Sequence, residues 1–442
     1  MRYRDLEFPI GFLWGSAASA HQTEGHNHND WTEWEKIPGK IRDGSTSAIA
    51  CDHYHRFEED FDLARELGHQ VHRLSVEWSR VEPSRGQWDI NEIRHYRSVV
   101  AALVERGIRP MVTLHHFTNP LWFCNLGGWL NPNSPSLFAP YSRRIVEALC
   151  DFDIIWNTVN EPLVLATLGY LFGEFPPGLR DFGKALAVAK HLLMAHGVAS
   201  MQIRQVYEDN GLEQPEIAPV ISATYFMPAD PTSSDDIELA AYLDELYNHT
   251  WIRGAIDAQI PEPLGDGMPY EPLEGSVDFI GLNYYSRMLV SADMDFMSGE
   301  TPPPDPQSER CEGLGWEVYP EGYYHIIKAM WERYGKPIFL TENGIGTLDD
   351  SLRCRYILRH LQQVHRAITE GVEIRGYLVW SLTDNFEWTY GYSSHFGLIE
   401  IDYDTLQRTP RESAYMYRRI IENNCVTAEL QERYLRNSSD QK

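Results

Sequence analysis

Short apolar runs recur along the chain, and between them lie longer stretches whose apolar positions repeat every three to four residues. The runs fall at residues 11–17, 71–77, 109–115, 153–159, 216–222, 277–283, 337–341 and 374–381. Their length and their wealth of Val, Ile, Leu and Phe fit strands buried on both faces. The stretches HYHRFEEDFDLARELG, INEIRHYRSVVAALVERG, FAPYSRRIVEALC and LRCRYILRHLQQVHRAITEG have helical spacing, and three of them close on glycine. Eight strands with helical segments between them predict a parallel sheet closed on itself, a single (β/α)8 barrel of the α/β class. Two connections, 224–275 and 286–319, are too long for simple turns and are expected as extended loops over the C-terminal mouth. The charge run Glu58-Glu59-Asp60 is expected on a solvated helix start. Residues 1–442 are expected to form one domain, with a disordered tail over about 430–442.

The fourth run leads into WNTVNEP, residues 156–162, and the seventh into PIFLTENG, residues 337–344. Each carries a glutamate, Glu161 or Glu342, next to an asparagine, Asn160 or Asn343. A carboxylate in an apolar setting is costly unless paired, and it tends to keep its proton. In such barrels the chemistry sits at the carboxyl ends of the strands. Strands four and seven then face each other across the mouth. Two opposed carboxyls are the minimum set for glycoside hydrolysis: one protonates the departing oxygen, and the other attacks the anomeric carbon or activates water to do so. The alternative for either glutamate is a buried ion pair with arginine.

Lys plus Arg number 38 against 64 Asp plus Glu, a net charge of −26. That field repels phosphate backbones and anionic lipid surfaces, so no nucleic acid and no membrane is expected as a partner. No run of 18 uninterrupted apolar residues exists, and the opening MRYRDLEFPIGFLWGSA lacks the long apolar core of a secretory leader. Six widely spaced cysteines without a C-x-x-C pair suit reduced thiols and a cytoplasmic location better than a disulfide framework or a zinc site.

Nine motifs in order give the chain a resemblance to a known family. They are FLWGSAASAHQTEG, HRLSVEWSRVEP, VTLHHFTNP, GGW, WNTVNEP, DFIGLNYYS, GWEVYPEGYY, PIFLTENGI and WSLTDNFEW. Together they resemble the signatures of glycoside hydrolase family 1, from about residue 8 to 421. The resemblance implies a retaining β-glycosidase on a (β/α)8 barrel, acting without metal or cofactor on small β-glucosides or oligosaccharides. It implies Glu161 as acid/base and Glu342 as nucleophile. Arg73 would stand beside the nucleophile, with Tyr285 donating to it and Asn283 in support. Gln22, His116 and Asn160 would bind sugar hydroxyls, Asn160 at the 2-position. Trp380 would stack under the ring, Glu387 would take the 4- and 6-hydroxyls with Trp388, and Trp316 would line the leaving-group side. The Pro-rich segment 301–306 (TPPPDP) would stiffen that wall.

Three positions bear on specificity. Phe117 stands where many relatives have tryptophan. Glu387 is retained with no lysine in the following TYGYSSHFG, which implies free rather than 6-phosphorylated sugars. Glu161 is present, which implies ordinary O-glycosides. Terminal glucosyl units are the expected substrates, with galactosyl and fucosyl units as side activities. Net transglycosylation and a non-catalytic glycan-binding barrel are the alternatives.

Overall fold

The computed structural model describes residues 3–295 and 299–435. Eight parallel strands close into a barrel in chain order. They are β1 Leu13–Ala17, β2 Val71–Ser75, β3 Arg109–His115, β4 Ile155–Asn160, β5 Ile217–Pro228, β6 Ile280–Val290, β7 Ile338–Asn343 and β8 Ile374–Trp380. Pairing of β8 with β1, from Leu13–Gly376 to Ala17–Trp380, completes the ring. The principal helices after successive strands are α1 His53–Glu66, α2 Ile90–Glu105, α3 Ser134–Leu149, α4 Phe182–Asp209, α5 Thr250–Asp257, α6 Pro320–Tyr334, α7 Asp350–Thr369 and α8 Glu412–Asn423. Their ends follow local chemistry. Asp89 caps α2 by accepting from the Asn91 N–H at 2.9 Å, and Gly335, at φ +59°, ends α6 in the left-handed conformation.

Alternation along the strands builds the interior in two layers. Val71, Met111, Ile155, Ala218, Phe339 and Leu378 form a buried apolar cluster inside the barrel. Two residues on from the first three stand Arg73, Thr113 and Asn157, all fully buried. Side chains two apart share a face, so the barrel changes from an apolar plug to a polar floor within one step along the strands. The outer faces pack on the helices in a larger apolar core. Gly344 lets β7 close on β8, since a Cβ there would sit 1.8 Å from the Trp380 carbonyl oxygen.

Some expectations need correction. β5 and β6 run on to Pro228 and Val290 and pair there, Tyr225 with Arg287 through Pro228 with Val290, past an irregularity after Ala223. The expected loops 224–275 and 286–319 therefore begin as strand, and the first also contains a helix, Ser234–Leu243, and α5. The irregularity breaks the alternation that would have marked these extensions in the sequence. Residues 296–298 of the second loop lie outside the described residues. Of the charge run, Glu58 and Glu59 are exposed, but Asp60 is buried. Asp60 accepts from Arg408 Nε at 2.9 Å and lies 2.6 Å from His53 Nδ1, because the helical turn carries it to the inner face of α1. Of the tail expected over about 430–442, residues up to Leu435 belong to a helix, Ala428–Leu435, with Leu430 and Gln431 buried, and 436–442 lie outside the described residues. All six cysteines are free thiols. Among the described residues no helix is long and apolar enough to cross a membrane.

Candidate active site

Glu161 is the first residue past β4. Its backbone is left-handed, at φ +45°, a region that costs an ordinary residue on the order of 1–2 kcal/mol. Two neighbours hold it there. Its N–H donates to the Val220 carbonyl at 2.7 Å, and Pro162 opens a short helix, Pro162–Ala166, where a missing N–H costs nothing. Asparagine before and proline after the glutamate thus serve different ends: one is strand, the other turns the chain away. Phe117 at φ +72° and Trp388 at φ +48° line the same cavity, so strained backbone clusters at this mouth.

Glu342 lies inside β7, fully in the strand. Arg73 Nη1 donates to its Oε1, and the Tyr285 hydroxyl donates to its Oε2 at 2.6 Å. Arg73 is itself pinned. Its Nε donates to Thr113 Oγ1 and Asn157 Oδ1, each at 3.1 Å, and its Nη2 donates to Asn160 Oδ1 at 2.6 Å. A guanidinium only donates, so Asn160 must turn its amide nitrogen toward His116 Nε2, 3.3 Å away. His116 Nε2 is therefore an acceptor. Burial, with Arg73 nearby, holds this ring neutral, well below the usual histidine range. Asn283 donates to Glu161 Oε1 at 2.8 Å and accepts from the Thr341 hydroxyl at 2.7 Å. Asn283 also stands opposite Glu342 in the pairing of β6 with β7.

The two carboxyls have unequal surroundings. Burial, and then the charge of Glu342, push Glu161 up to about 8. Burial raises Glu342 as well, but Arg73 and then Tyr285 pull it back. The proton of the pair accordingly resides on Glu161, and Glu342 carries the charge.

A second set of polar groups lies beside the pair. Gln22 is fully buried and accepts from the Ser19 hydroxyl at 2.7 Å, which leaves its amide nitrogen to donate to Asn385 at 3.0 Å and Glu387 at 3.3 Å. Burial, and then the charges of Glu342 and Glu161, raise Glu387 to about 8; Gln22 and Trp380 hydrogen-bond it in partial compensation. The rings of His116 and Trp380 are near parallel with centroids 6.1 Å apart. Trp388 is backed by the His21 ring at 5.5 Å. Buried aromatic faces beside hydroxyl-binding groups suit a pyranose, which has apolar C–H faces and a polar rim.

The family model for glycosyl hydrolase family 1 matches residues 4–426. The chain belongs to this family. It is 35% identical to β-glucosidase A of Acetivibrio thermocellus, over 95% of this chain and 99% of that one. The solved β-glucosidase of Thermotoga maritima in complex with glucoimidazole superposes with a TM-score of 0.86 at 34% identity, covering 95% and 99% of the two chains. A β-glycosidase from Pyrococcus horikoshii gives a TM-score of 0.86 at 36% identity, covering 98% and 99%.

Against this family-1 frame the twelve residues singled out in the sequence fall into one place. Gln22, His116, Glu161, Tyr285, Glu342, Trp380, Glu387 and Trp388 line one cavity, with Trp316 among its linings at 38% exposure. The Trp316 ring is 5.3 Å from that of Tyr285. Arg73, Asn160 and Asn283 do not line it and act through their bonds to the carboxyls. Asn160, expected at a hydroxyl, spends its amide oxygen on Arg73 and one N–H on His116, which leaves its second N–H. Asn343 is turned the other way, bonded to Tyr284, Tyr356 and Tyr377, because neighbours in a strand face opposite sides. His115 is likewise structural, held by Asn119 and Trp129.

Sequence reasoning missed Thr113 and Asn157, which fix Arg73, and Asn385, which fixes Gln22. It also missed Ser222, a hydrogen-bond partner of Glu161. Thr113 and Asn157 had a signal, as polar residues two positions beyond apolar ones on the same strand face. Ser222, two positions beyond Val220 on β5, had the same signal, and Asn385 lies within the motif WSLTDNFEW.

Proposed function

We propose that the protein is a retaining exo-β-glycosidase that removes terminal non-reducing β-D-glucosyl units from small β-glucosides or oligosaccharides, with galactosyl and fucosyl units as lesser substrates. The observation that carries this reading is the unequal carboxyl pair, a protonated Glu161 bonded to Asn283 and an anionic Glu342 bonded to Arg73 and Tyr285. Asn283 bonds Glu161 and stands opposite Glu342 on the neighbouring strand, which favours the short separation of about 5–5.5 Å used in double displacement over the roughly 6.5–9.5 Å that admits water between them.

Glu161 gives its proton to the glycosidic oxygen as Glu342 attacks the anomeric carbon, forming a glycosyl ester. The ester carries no charge, so the repulsion that raised Glu161 is gone. Glu161 then takes a proton from water, which displaces Glu342 and completes the cycle. Arg73 and Tyr285 receive Glu342 again as an anion. Asn160, in register beside Glu161, and His116 order the sugar side. The exo reading is supported by the closed polar end, where Gln22 and Phe117 are buried and His21 backs Trp388. Among the described lining residues the one cation is Arg287, bound to Glu317 at 2.8 Å, so a sugar phosphate would find no counter-charge. The β-glucosidase names of the Acetivibrio and Thermotoga relatives support glucosyl as the principal unit.

Proton NMR of an aryl β-glucoside reaction tests the mechanism: β-glucose should appear first. First-formed α-glucose would overturn it. Glu342→Ala should be inactive and regain turnover with azide, yielding the α-glycosyl azide.

A further inference from the structure

The cavity holds about 680 Å³ and runs from Glu161 and Glu342 to Trp251 and Leu264. Volumes of this order, within roughly 300–1,000 Å³, enclose whole drug-sized ligands, more than one sugar ring needs. Beyond the carboxyls its walls change character. Leu168, Leu171, Phe172, Leu186, Leu243 and Leu246 line this part. Three of its polar side chains are already engaged, and Glu174 is exposed to solvent. The Thr167 hydroxyl donates to the Leu163 carbonyl at 2.7 Å, and that of Thr250 to the Glu245 carbonyl at 3.0 Å. Arg287 is held by Glu317 at 2.8 Å. A second sugar would lose its water here for little in return.

The backbone is shaped to the same end. Two π-helical turns, Thr167–Leu171 and Asp244–His249, both contribute to this wall. A π turn adds a residue and re-aims its side chains, and such turns recur at functional sites. The first starts six residues after Glu161. Large side chains also stand exposed among the linings: Phe182 at 41%, Tyr242 at 59% and Trp316 at 38%. Exposed apolar groups among the linings of a cavity suit contact with an apolar ligand.

We propose that this part of the cavity is a chamber for a hydrophobic aglycone, an alkyl or arylalkyl chain, and that amphiphilic β-glycosides are preferred over cello-oligosaccharides. The proposal rests on the β-glycosidase reading of the carboxyl pair, and the test separates the two. The probes are methyl, butyl and hexyl 1-thio-β-D-glucopyranosides, which bind without turnover, titrated calorimetrically below any micelle concentration. Affinity should rise roughly twofold to fourfold per methylene, with a heat-capacity change that grows more negative along the series. Leu171→Gln and Leu246→Gln, one from each π turn, should flatten the series and leave the methyl compound within twofold of wild type. A flat wild-type series overturns the chamber, as does a wild-type slope retained in both variants. Should neither variant fold, the wild-type series decides alone. Hydrolysis of aryl glucosides with a flat series defeats the chamber only. A steep series without hydrolysis of any β-glycoside defeats the functional reading and leaves the chamber standing.

Discussion

The two ends of the cavity are built on opposite principles. At the glycone end the polar side chains around the carboxyls are held in turn by others: Arg73 by Thr113, Asn157 and Asn160, Asn283 by Thr341, and Gln22, beside Glu387, by Ser19 and Asn385. At the other end the walls are mainly leucine and phenylalanine, and Thr167, Thr250 and Arg287 are bonded to backbone carbonyls or a neighbouring carboxylate. Polar recognition needs groups fixed in direction, because a misaligned buried donor loses most of its worth. Apolar recognition needs only space and area removed from water. One end is therefore expected to be intolerant of substitution, and the other graded.

Replacing Glu161 should break the comparison most sharply. Glu161→Gln should lower kcat/KM for alkyl glucosides by about 10²–10⁴-fold, with much smaller loss for dinitrophenyl glucoside, whose leaving group needs no proton. In the wild type, kcat/KM should fall as pH rises through about 8, since the acid must carry its proton, and this alkaline limb should vanish in the variant. Equal losses for both leaving groups would contradict the assignment of the proton.

Tyr285→Phe comes next. Loss of one hydrogen bond to a charged group, about 1.5–3 kcal/mol or roughly 10- to 150-fold, should appear in kcat/KM. Pre-steady-state bursts would show whether it falls on glycosylation.

Glu387→Gln sharpens the contrast between function and stability. Activity on β-glucosides should fall more than on β-fucosides, which lack the 6-hydroxyl. The folded protein should gain stability. Glu387 is raised to about 8 in the fold and sits near 4.3 when unfolded, so its stabilising contribution is full below about 4 and is lost as pH rises toward 8. The variant should melt a few degrees higher than wild type at pH 7 and alike at pH 4. A lower melting temperature at pH 7 would show that the carboxyl is ionised and paired.

The smallest effect belongs to the other end. Phe182→Ala should raise KM for hydrophobic aryl glucosides by less than about tenfold, in keeping with partial loss of a buried ring, and leave kcat unchanged. A change in kcat there would mean that the two ends are coupled.

Much of this architecture was legible in one dimension. Eight apolar runs separated by helical segments imply a closed barrel because strands buried on both faces leave few other arrangements. Glutamates at the ends of the fourth and seventh runs imply opposed carboxyls because closure in chain order sets those strands across the mouth. Motif order identified the family, and its residues converge on one cavity. Asn160 and Asn343 look equivalent on paper, yet one reaches the site and the other the tyrosines outside the barrel, because side-chain direction depends on strand register. Asp60 reads as surface charge and is buried against Arg408, because its partner is remote in the chain. The neutral His116 and the apolar chamber belong to the tertiary structure alone. Each depends on burial and on neighbours from several strands at once, which no local pattern records.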